Sequence, residues 1–277
     1  MKIHPYDLAT DQLSRRHVRL LARAARSGLV SVTAGADALG FSRPRTAILL
    51  ATLVRRGWLK RLRRGLYLLL PLEAESQSSG VAEDAWVLAD EVFSPCYIGG
   101  WTAAEHWGLT EQIFRSTFVV STANVRRTSH SISGSEFRVV KSSPNRVDGI
   151  GAVWRGRERI KVSSRERTIV DALITPGWLG GVRHLADVLL AYRNGDDWRP
   201  QRLLSELEPL GTGAAFKRLG FLAETLGLVE AGLTEAARSR MTAGIVKLDP
   251  SIRSRGRLNK HWGLWINASV AGPQASK

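Results

Sequence analysis

The spacing of apolar side chains predicts three helices in the first part of the chain. Residues 11–27 repeat apolar positions at steps of three and four with arginines between them, which is typical of an amphipathic helix. Residues 33–39 form a second, shorter apolar segment behind the N-cap residue Thr33. A third helix begins near Ser42, stops before Gly57 and has an apolar stripe made of Ile48, Leu49, Leu50, Leu53 and Val54.

A hairpin is predicted directly after the third helix. Apolar and basic residues alternate loosely over residues 58–71, and Gly65 supplies the turn between two strands. Helix, short helix, helix and hairpin, with a tight turn between the last two helices, is the order of a winged helix-turn-helix. The polar segment EAESQSSG follows Leu72, so the sequence predicts a winged helix-turn-helix domain over residues 1–73 and a second domain over residues 81–277.

The second domain has a mixed pattern. Its helices are predicted at 81–92, 101–108, 164–174, 181–192, 199–208 and 214–227, and its strands at 117–122, 136–141, 151–155, 159–162 and 262–266. The helix at 164–174 is introduced by a capping-box pattern in which Ser163 is followed by Glu166. Helices and strands do not alternate regularly enough for a doubly wound sheet, so the predicted class of the whole chain is α+β.

Positive charge is concentrated in the predicted winged helix. The chain has 40 lysines and arginines against 25 acidic residues, a net charge of +15. Residues 1–70 hold 14 of those cations and three acids, a net of +11. A local excess of this kind is typical of a protein that binds a polyanion. A membrane surface is the competing polyanion, and a basic protein without a polyanion partner is the simplest alternative.

Double-stranded DNA is the polyanion that the predicted elements fit best. The N-terminal end of the third helix would enter the major groove, where arginine pairs with guanine, and the hairpin tip would contact backbone or minor groove. The N-terminus of the second helix adds a phosphate contact. The expected DNA-binding residues are Thr33, Ser42, Arg43, Arg45, Thr46, Lys60, Arg61, Arg63 and Arg64. A winged helix that binds protein remains the alternative.

Motifs for catalysis or metal binding are not found in the sequence. Cys96 is the single cysteine, which excludes an internal disulfide and a thiolate zinc cluster. The six histidines have no ligand spacing, and no Walker loop, nucleophile elbow or dinucleotide fingerprint is present. We therefore expect no catalytic residue, cofactor or metal. The lone cysteine and the lack of a signal-peptide pattern favour the cytoplasm, and no apolar run is long enough to span a membrane.

Several segments in order resemble one protein family. They are RRGLYLLLP at the end of the winged helix, YIGGWTAAEHWGLTEQI at 97–113, VSSRERTIVDAL at 162–173 followed by glycines 180–181, and WGLWIN at 262–267. With this spacing the chain resembles the AbiEi family, the antitoxins and transcriptional regulators of AbiE-type toxin–antitoxin systems, which act in phage defence.

The resemblance implies a role on DNA and a role against a toxin. AbiEi proteins repress their own operon at inverted repeats in its promoter, where two copies bind cooperatively, and they counteract a nucleotidyltransferase-like toxin in a type IV-like manner. Whether the toxin is contacted directly is left open. The second domain would supply antitoxicity and a further basic surface for DNA or a partner, drawn from Arg126, Arg127, Arg165 and Arg167 or from Arg253, Arg255, Arg257 and Lys260.

Two other function classes remain open from the sequence. A winged-helix regulator whose second domain senses a ligand would show an apolar pocket with converging polar groups. A nuclease with a DNA-targeting domain would need clustered carboxylates to hold metal ions.

Overall fold

The protein is an α+β chain that divides into two compact units. The computed structural model describes residues 5–25, 28–70, 84–132, 134–147, 150–156, 158–228 and 232–270, with side chains from residue 15 onward. Unit 1 comprises Met1–Ser94 and unit 2 comprises Pro95–Lys277. Unit 1 contains four helices and a small sheet, and unit 2 contains several sheets and most of the helices.

Unit 1 contains the predicted order of helix, short helix, helix and hairpin. Its elements are α1 (Pro5–Ala24), β1 (Leu29–Ser31), α2 (Val32–Leu39), α3 (Arg43–Arg55), β2 (Leu59–Arg63), β3 (Leu66–Leu69) and α4 (Ala85–Phe93). The strands form one antiparallel sheet in the order β1-β3-β2. Helix α1 begins at Pro5, earlier than predicted. Strand β1 was not predicted, because three residues are too few to show a period.

The caps of α2 and α3 differ in detail from those predicted. Ser31, not Thr33, caps α2, since its Oγ accepts a hydrogen bond from the Ala34 N–H at 3.1 Å. Gly40 ends α2 in the left-handed conformation, with φ of 64°. Ser42 occupies the N-cap of α3 but makes no side-chain capping bond. The free N–H groups at the start of α3 are therefore left for other acceptors.

The core of unit 1 fixes how α3 is rotated about its axis. Gly35 of α2 lies where α1 and α3 approach: a Cβ there would be 3.1 Å from Leu21 Cδ2 and 3.2 Å from Thr46 Cγ2. Thr46 therefore faces inward, and Leu50 and Leu53 follow it on the same side of α3. The buried apolar residues of this core are Val18, Leu21, Val30, Leu50, Leu53, Leu59 and Tyr67.

The two units do not divide the chain where the sequence placed its domains. Helix α4 groups with unit 1, whereas the sequence assigned residues 81–277 to the second domain. Asp84 caps this helix by accepting a hydrogen bond from the Trp86 N–H at 2.9 Å. The predicted linker at 74–80 lies outside the described residues.

Unit 2 combines a four-stranded sheet, two smaller sheets and a group of packed helices. The large sheet has the order β4-β5-β7-β6, with β5 and β7 parallel and the other pairs antiparallel. The elements are β4 (Cys96–Ile98), α5 (Gly100–His106), β5 (Ser116–Ser121), β6 (Ser129–Ile132), β7 (Ser135–Lys141), β8 (Ala152–Arg155), β9 (Glu158–Lys161), α6 (Arg165–Ile174), α7 (Val182–Asn194), α8 (Pro200–Leu207), α9 (Gly213–Thr225), α10 (Leu233–Arg240), β10 (Val246–Lys247), β11 (Arg257–Asn259) and β12 (Leu264–Ile266).

The predicted helices and strands of this region all have counterparts, but several short elements were missed. These are β4, β6, α10, β10 and β11, each of eight residues or fewer. The capping residue of α6 also moves by one position. Ser164 caps the helix by accepting from the Arg167 N–H at 3.0 Å, while Ser163 is buried against Thr168.

A buried charge network holds α6 against β4. Asp171 of α6 has no solvent exposure, and its Oδ2 accepts a hydrogen bond from the Tyr97 hydroxyl at 2.6 Å. Arg167, one helical turn earlier, donates from Nε to Asp171 Oδ1 at 3.1 Å and from Nη2 to the Arg146 carbonyl at 2.8 Å. Burial and the neighbouring carboxylate raise the pKa of Tyr97, so the phenol keeps its proton and remains a donor.

We expect removal of this carboxylate to destabilise the protein severely. Asp171→Ala leaves the Arg167 guanidinium buried without its counter-ion, which costs about 3–5 kcal/mol of unfolding free energy. Urea unfolding at neutral pH would measure the loss. Asp197→Ala is the matched control, because Asp197 is half exposed and its ion pairs with Arg165 and Arg199 contribute about 1 kcal/mol at most. Equal losses in the two variants would contradict the assignment.

Candidate nucleic-acid interface

Two of the predicted DNA-binding arginines lie at the N-terminal end of α3. Arg43 and Arg45 are both exposed, and so is Ser42 just before them. The Arg45 guanidinium carbon lies 4.1 Å from the centroid of the Phe41 ring, and His17 of α1 contacts the same ring edge-on. This stacking orients Arg45 while leaving its N–H donors at the surface.

Thr46 does not belong to this surface. Its side chain is fully buried, and its Oγ1 donates a hydrogen bond to the Ser42 carbonyl at 3.1 Å. The methyl group faces Gly35 of α2. The prediction that Thr46 contacts DNA is therefore wrong, because packing between α2 and α3 turns this position inward.

Ile48 shows the opposite discrepancy, because it was predicted to be buried and is exposed. The sequence placed it in the apolar stripe of the third helix, yet 70% of it is exposed. Arg45, Ile48, Thr52 and Arg55 follow one another at helical spacing along the outer face of α3, and Arg55 Nη2 donates to Thr52 Oγ1 at 3.1 Å. Sequence reasoning missed this face, because the apolar run at 48–50 does not indicate which residue points outward.

The β2–β3 hairpin presents the other predicted cations. Lys60, Arg61, Arg63 and Arg64 are all exposed. The register of the hairpin shifts between Arg61 and Arg63, so β2 has one irregularity next to the turn. Arg63 is partly engaged, since its Nη2 donates to the Glu91 carbonyl at 3.0 Å. The Val32 N–H donates to the Gly65 carbonyl at 3.0 Å, which ties the hairpin turn to the start of α2.

Most cations of this surface have no counter-ion among the described side chains. None of Arg43, Arg45, Lys60, Arg61, Arg63 and Arg64 forms an ion pair with a described acidic group. Helix α1 adds further exposed arginines, Arg16, Arg19 and Arg23, which the predicted site omitted. Their spacing of three and four residues in sequence was the signal that could have found them. Thr33 is exposed in the first turn of α2.

The predicted basic surfaces of unit 2 are only partly available. Arg126 and Arg127 are exposed between β5 and β6, and the later residues Arg253, Arg255, Arg257 and Lys260 are exposed as well. Arg165 forms an ion pair with Asp197 at 3.2 Å and lies over the Trp107 ring. Arg167 is 95% buried in the Asp171 network, so its prediction as a surface contact is wrong.

A pocket in unit 2 bears on the ligand-sensing alternative. It has a volume of about 290 Å³, and Trp107, Val153, Ser164, Arg167 and Arg202 are among the residues that line it. Most of its polar side chains are already engaged: Arg167 binds Asp171, Ser164 caps α6, and Arg202 lies 3.7 Å from Glu166, while Glu206 also lines it. The pocket therefore offers a ligand few uncommitted polar partners.

Within the described ranges, no group of three or more His, Cys, Asp or Glu side chains is arranged to hold a metal ion. Of the helices in those ranges, none combines the length and the apolar character needed to cross a membrane.

Comparisons with known proteins give the fold alone. No protein-family model matches the chain, and no curated protein matches it. The crystal structure of the RV2827C protein from Mycobacterium tuberculosis is similar, with a TM-score of 0.55 and 19% sequence identity over 91% of this chain and 90% of that chain. This likeness extends over both units.

The position of His17 predicts acid sensitivity. Burial first, and then the charges of Arg16 and Arg45, lower the pKa of His17 below its usual 6.5. The unfolded chain therefore binds more protons, and stability present above pH 6.5 is lost as the pH falls toward the lowered value. We expect His17→Gln to lose less stability than the parent chain between pH 6.5 and about 5, measured by urea unfolding. Identical losses would show that His17 does not contribute.

Proposed function

We propose that unit 1 is a winged helix-turn-helix that binds double-stranded DNA. In this arrangement the N-terminal end of α3 enters the major groove, and the β2–β3 hairpin contacts the backbone or the minor groove. The observation that carries the proposal is the set of exposed cations at these two places without ion pairs to described acidic side chains. Phosphate groups would supply the missing negative charge and release counterions on binding.

The N-terminal end of α3 and the β2–β3 hairpin would make different kinds of contact with DNA. Arg43 and Arg45 stand at the leading end of α3, where a guanidinium forms two parallel hydrogen bonds with guanine O6 and N7. Ile48, exposed on the next turn, offers an apolar contact for a thymine methyl group. The hairpin cations lie on a strand rather than a recognition helix, and we assign them to sequence-independent phosphate contacts.

We further propose that the chain represses its own operon and acts as an antitoxin against a nucleotidyltransferase-like toxin. The support is the resemblance to AbiEi proteins in four segments and the agreement of unit 1 with the expected order of elements. Repression would use unit 1 at inverted repeats bound by two copies. Antitoxicity would use unit 2.

Removal of hairpin charge should weaken binding to every duplex. Lys60→Gln with Arg64→Gln removes two exposed cations that bond to no described group, so the slope of log affinity against log salt should fall by about 1.8. Fluorescence anisotropy with a labelled duplex at several salt concentrations measures the slope. The control is Arg138→Gln with Lys141→Gln, two exposed cations on β7 of unit 2. An unchanged slope in the hairpin variant would exclude phosphate contacts there.

Removal of the α3 arginines should affect sequence-specific binding most. Arg43→Ala or Arg45→Ala should cost about 1–3 kcal/mol on DNA from the chain's own upstream region and less on random DNA. Arg138→Gln is the control: it removes one exposed cation on β7 of unit 2, so the preference for the upstream DNA should stay unchanged. Equal losses on both kinds of DNA would mean that the arginines position the protein without reading bases.

The double variant Arg43→Ala with Arg45→Ala separates the two proposed roles. With both arginines removed, a reporter fused to the upstream region should lose repression. Rescue of growth should persist when the variant is co-expressed with a toxic nucleotidyltransferase-like protein encoded beside it. Loss of both activities in a variant that is still folded would contradict the assignment of antitoxicity to unit 2.

A further inference from the structure

The β8–β9 hairpin of unit 2 carries an exposed tryptophan. Trp154 is 68% exposed, and its cross-strand partner on the same face is Arg159. Lys161 pairs with Ala152 two positions along, so its side chain lies on that face too. We call the exposed set Trp154, Arg159 and Lys161 the Trp154 face.

Trp154 is exposed although the hairpin that carries it is held in place by contacts with the rest of unit 2. Ile160, on the opposite face of β9, is 97% buried. The strand continues into Val162, which forms a parallel bridge with Ile98, and the Ser163 N–H donates to the Ile98 carbonyl at 3.0 Å. The Val162 N–H closes the hairpin by donating to the Gly151 carbonyl at 3.0 Å. One face is therefore held by unit 2, and the other is left to solvent.

Two positively charged side chains lie on the same face as this indole. The Arg159 guanidinium carbon lies 5.8 Å from the Trp154 ring centroid, which is within the range of a cation–π contact. Neither Arg159 nor Lys161 forms an ion pair with an acidic side chain of the described residues. An apolar ring beside two cations without counter-ions is complementary to a base attached to a phosphate chain.

We propose that the Trp154 face binds unpaired nucleotides of a single-stranded nucleic acid. Trp154 would stack on a base, while Arg159 and Lys161 contact the flanking phosphates. Bases inside a duplex already stack on one another and present only their edges, so the exposed ring face fits unpaired bases better. This surface consists of residues other than those of the proposed duplex-binding surface of unit 1.

Two other occupants fit the chemistry less well. A second copy of the chain would bring the two cations of one hairpin against those of the other, and like charges repel. A lipid surface would require a broad apolar face, whereas Trp154 is the one exposed large apolar residue among the described residues of this hairpin.

The test compares binding of the full chain with that of Trp154→Ala to a labelled single strand of about twelve nucleotides by fluorescence anisotropy. Loss of one stacked base should weaken binding at least about fivefold. Trp154→Phe keeps an aromatic ring and should lose less. Arg159→Gln should lower the salt slope by about 0.7. A strand of the same length without bases and a blunt duplex should bind Trp154→Ala and the parent chain equally.

Matched variants separate stacking from general surface effects. Ile113→Ala removes an apolar side chain of unit 2 that is 88% exposed and is not part of the hairpin, and Arg138→Gln removes an exposed cation on β7. Both should bind the single strand as the parent chain does. Strands of ribose and deoxyribose with one sequence identify the source: tighter binding of either form supports the proposal and names that nucleic acid.

Three results would overturn the proposal. The first is unchanged single-strand affinity in Trp154→Ala. The second is an equal loss on the strand without bases, which would mean that the ring does not stack. The third is that Trp154→Ala binds the single strand as the parent chain does but no longer binds vesicles of phosphatidylcholine and phosphatidylserine, or differs from the parent chain in oligomeric state. That result would assign the face to lipid or to a second copy.

Discussion

The buried carboxylate of Asp171 is the constraint on which unit 2 depends. A charged group without solvent exposure is costly unless donors surround it, and here the donors come from different parts of the chain. The Tyr97 donor lies on β4, and the Arg167 donor lies on α6 itself. Arg167 in turn binds the carbonyl of Arg146, whose own guanidinium lies 3.8 Å from the carboxylate. The sheet, the helix and the segment after β7 must therefore be in place together.

Charge is distributed differently in the first seventy residues. Unit 2, residues 95–277, holds 26 cations and 16 acids, and many of these pair with one another or bind backbone carbonyls. Residues 1–70 hold 14 cations and three acids, so pairing within the segment is impossible for most of them. Their mutual repulsion destabilises this segment and would be relieved beside a polyanion; the six acids of residues 73–91 offset only part of it. The local imbalance is thus consistent with the proposal that this segment binds DNA.

Long amphipathic helices and glycine turns could be predicted from the sequence because their signals are local. Gly40 and Gly65 mark a helix end and a hairpin turn through positive φ, which other residues rarely adopt. The short strands could not be predicted, since they exist through pairing with distant partners. The rotation of α3 was also beyond the sequence: the run Ile48–Leu50 spans more than half the helix circumference, and only packing against Gly35 decides that Leu50 is buried and Ile48 exposed.

For the candidate site, the basic hairpin and the α3 arginines could be predicted because lysine and arginine side chains are seldom fully buried and therefore mark the surface. Arg167 is the exception, and its signal was visible. It lies four residues before Asp171 in the same helix, which is the spacing of an ion pair on one face. The exposed Trp154 was missed, because tryptophan is usually buried and nothing local in a strand shows which face lacks a cover.

Three of the four segments that carry the family resemblance contribute residues that hold unit 2 together. Gly100 has φ of 51°, and a Cβ there would lie 2.5 Å from the Trp178 carbonyl oxygen. Trp262 packs so closely on α9 that any side chain at Gly220 would collide with it. Asp171 and Arg167 form the buried network. These residues are required by the scaffold whatever unit 2 does, so its activity must be sought on surfaces outside them, such as the Trp154 face.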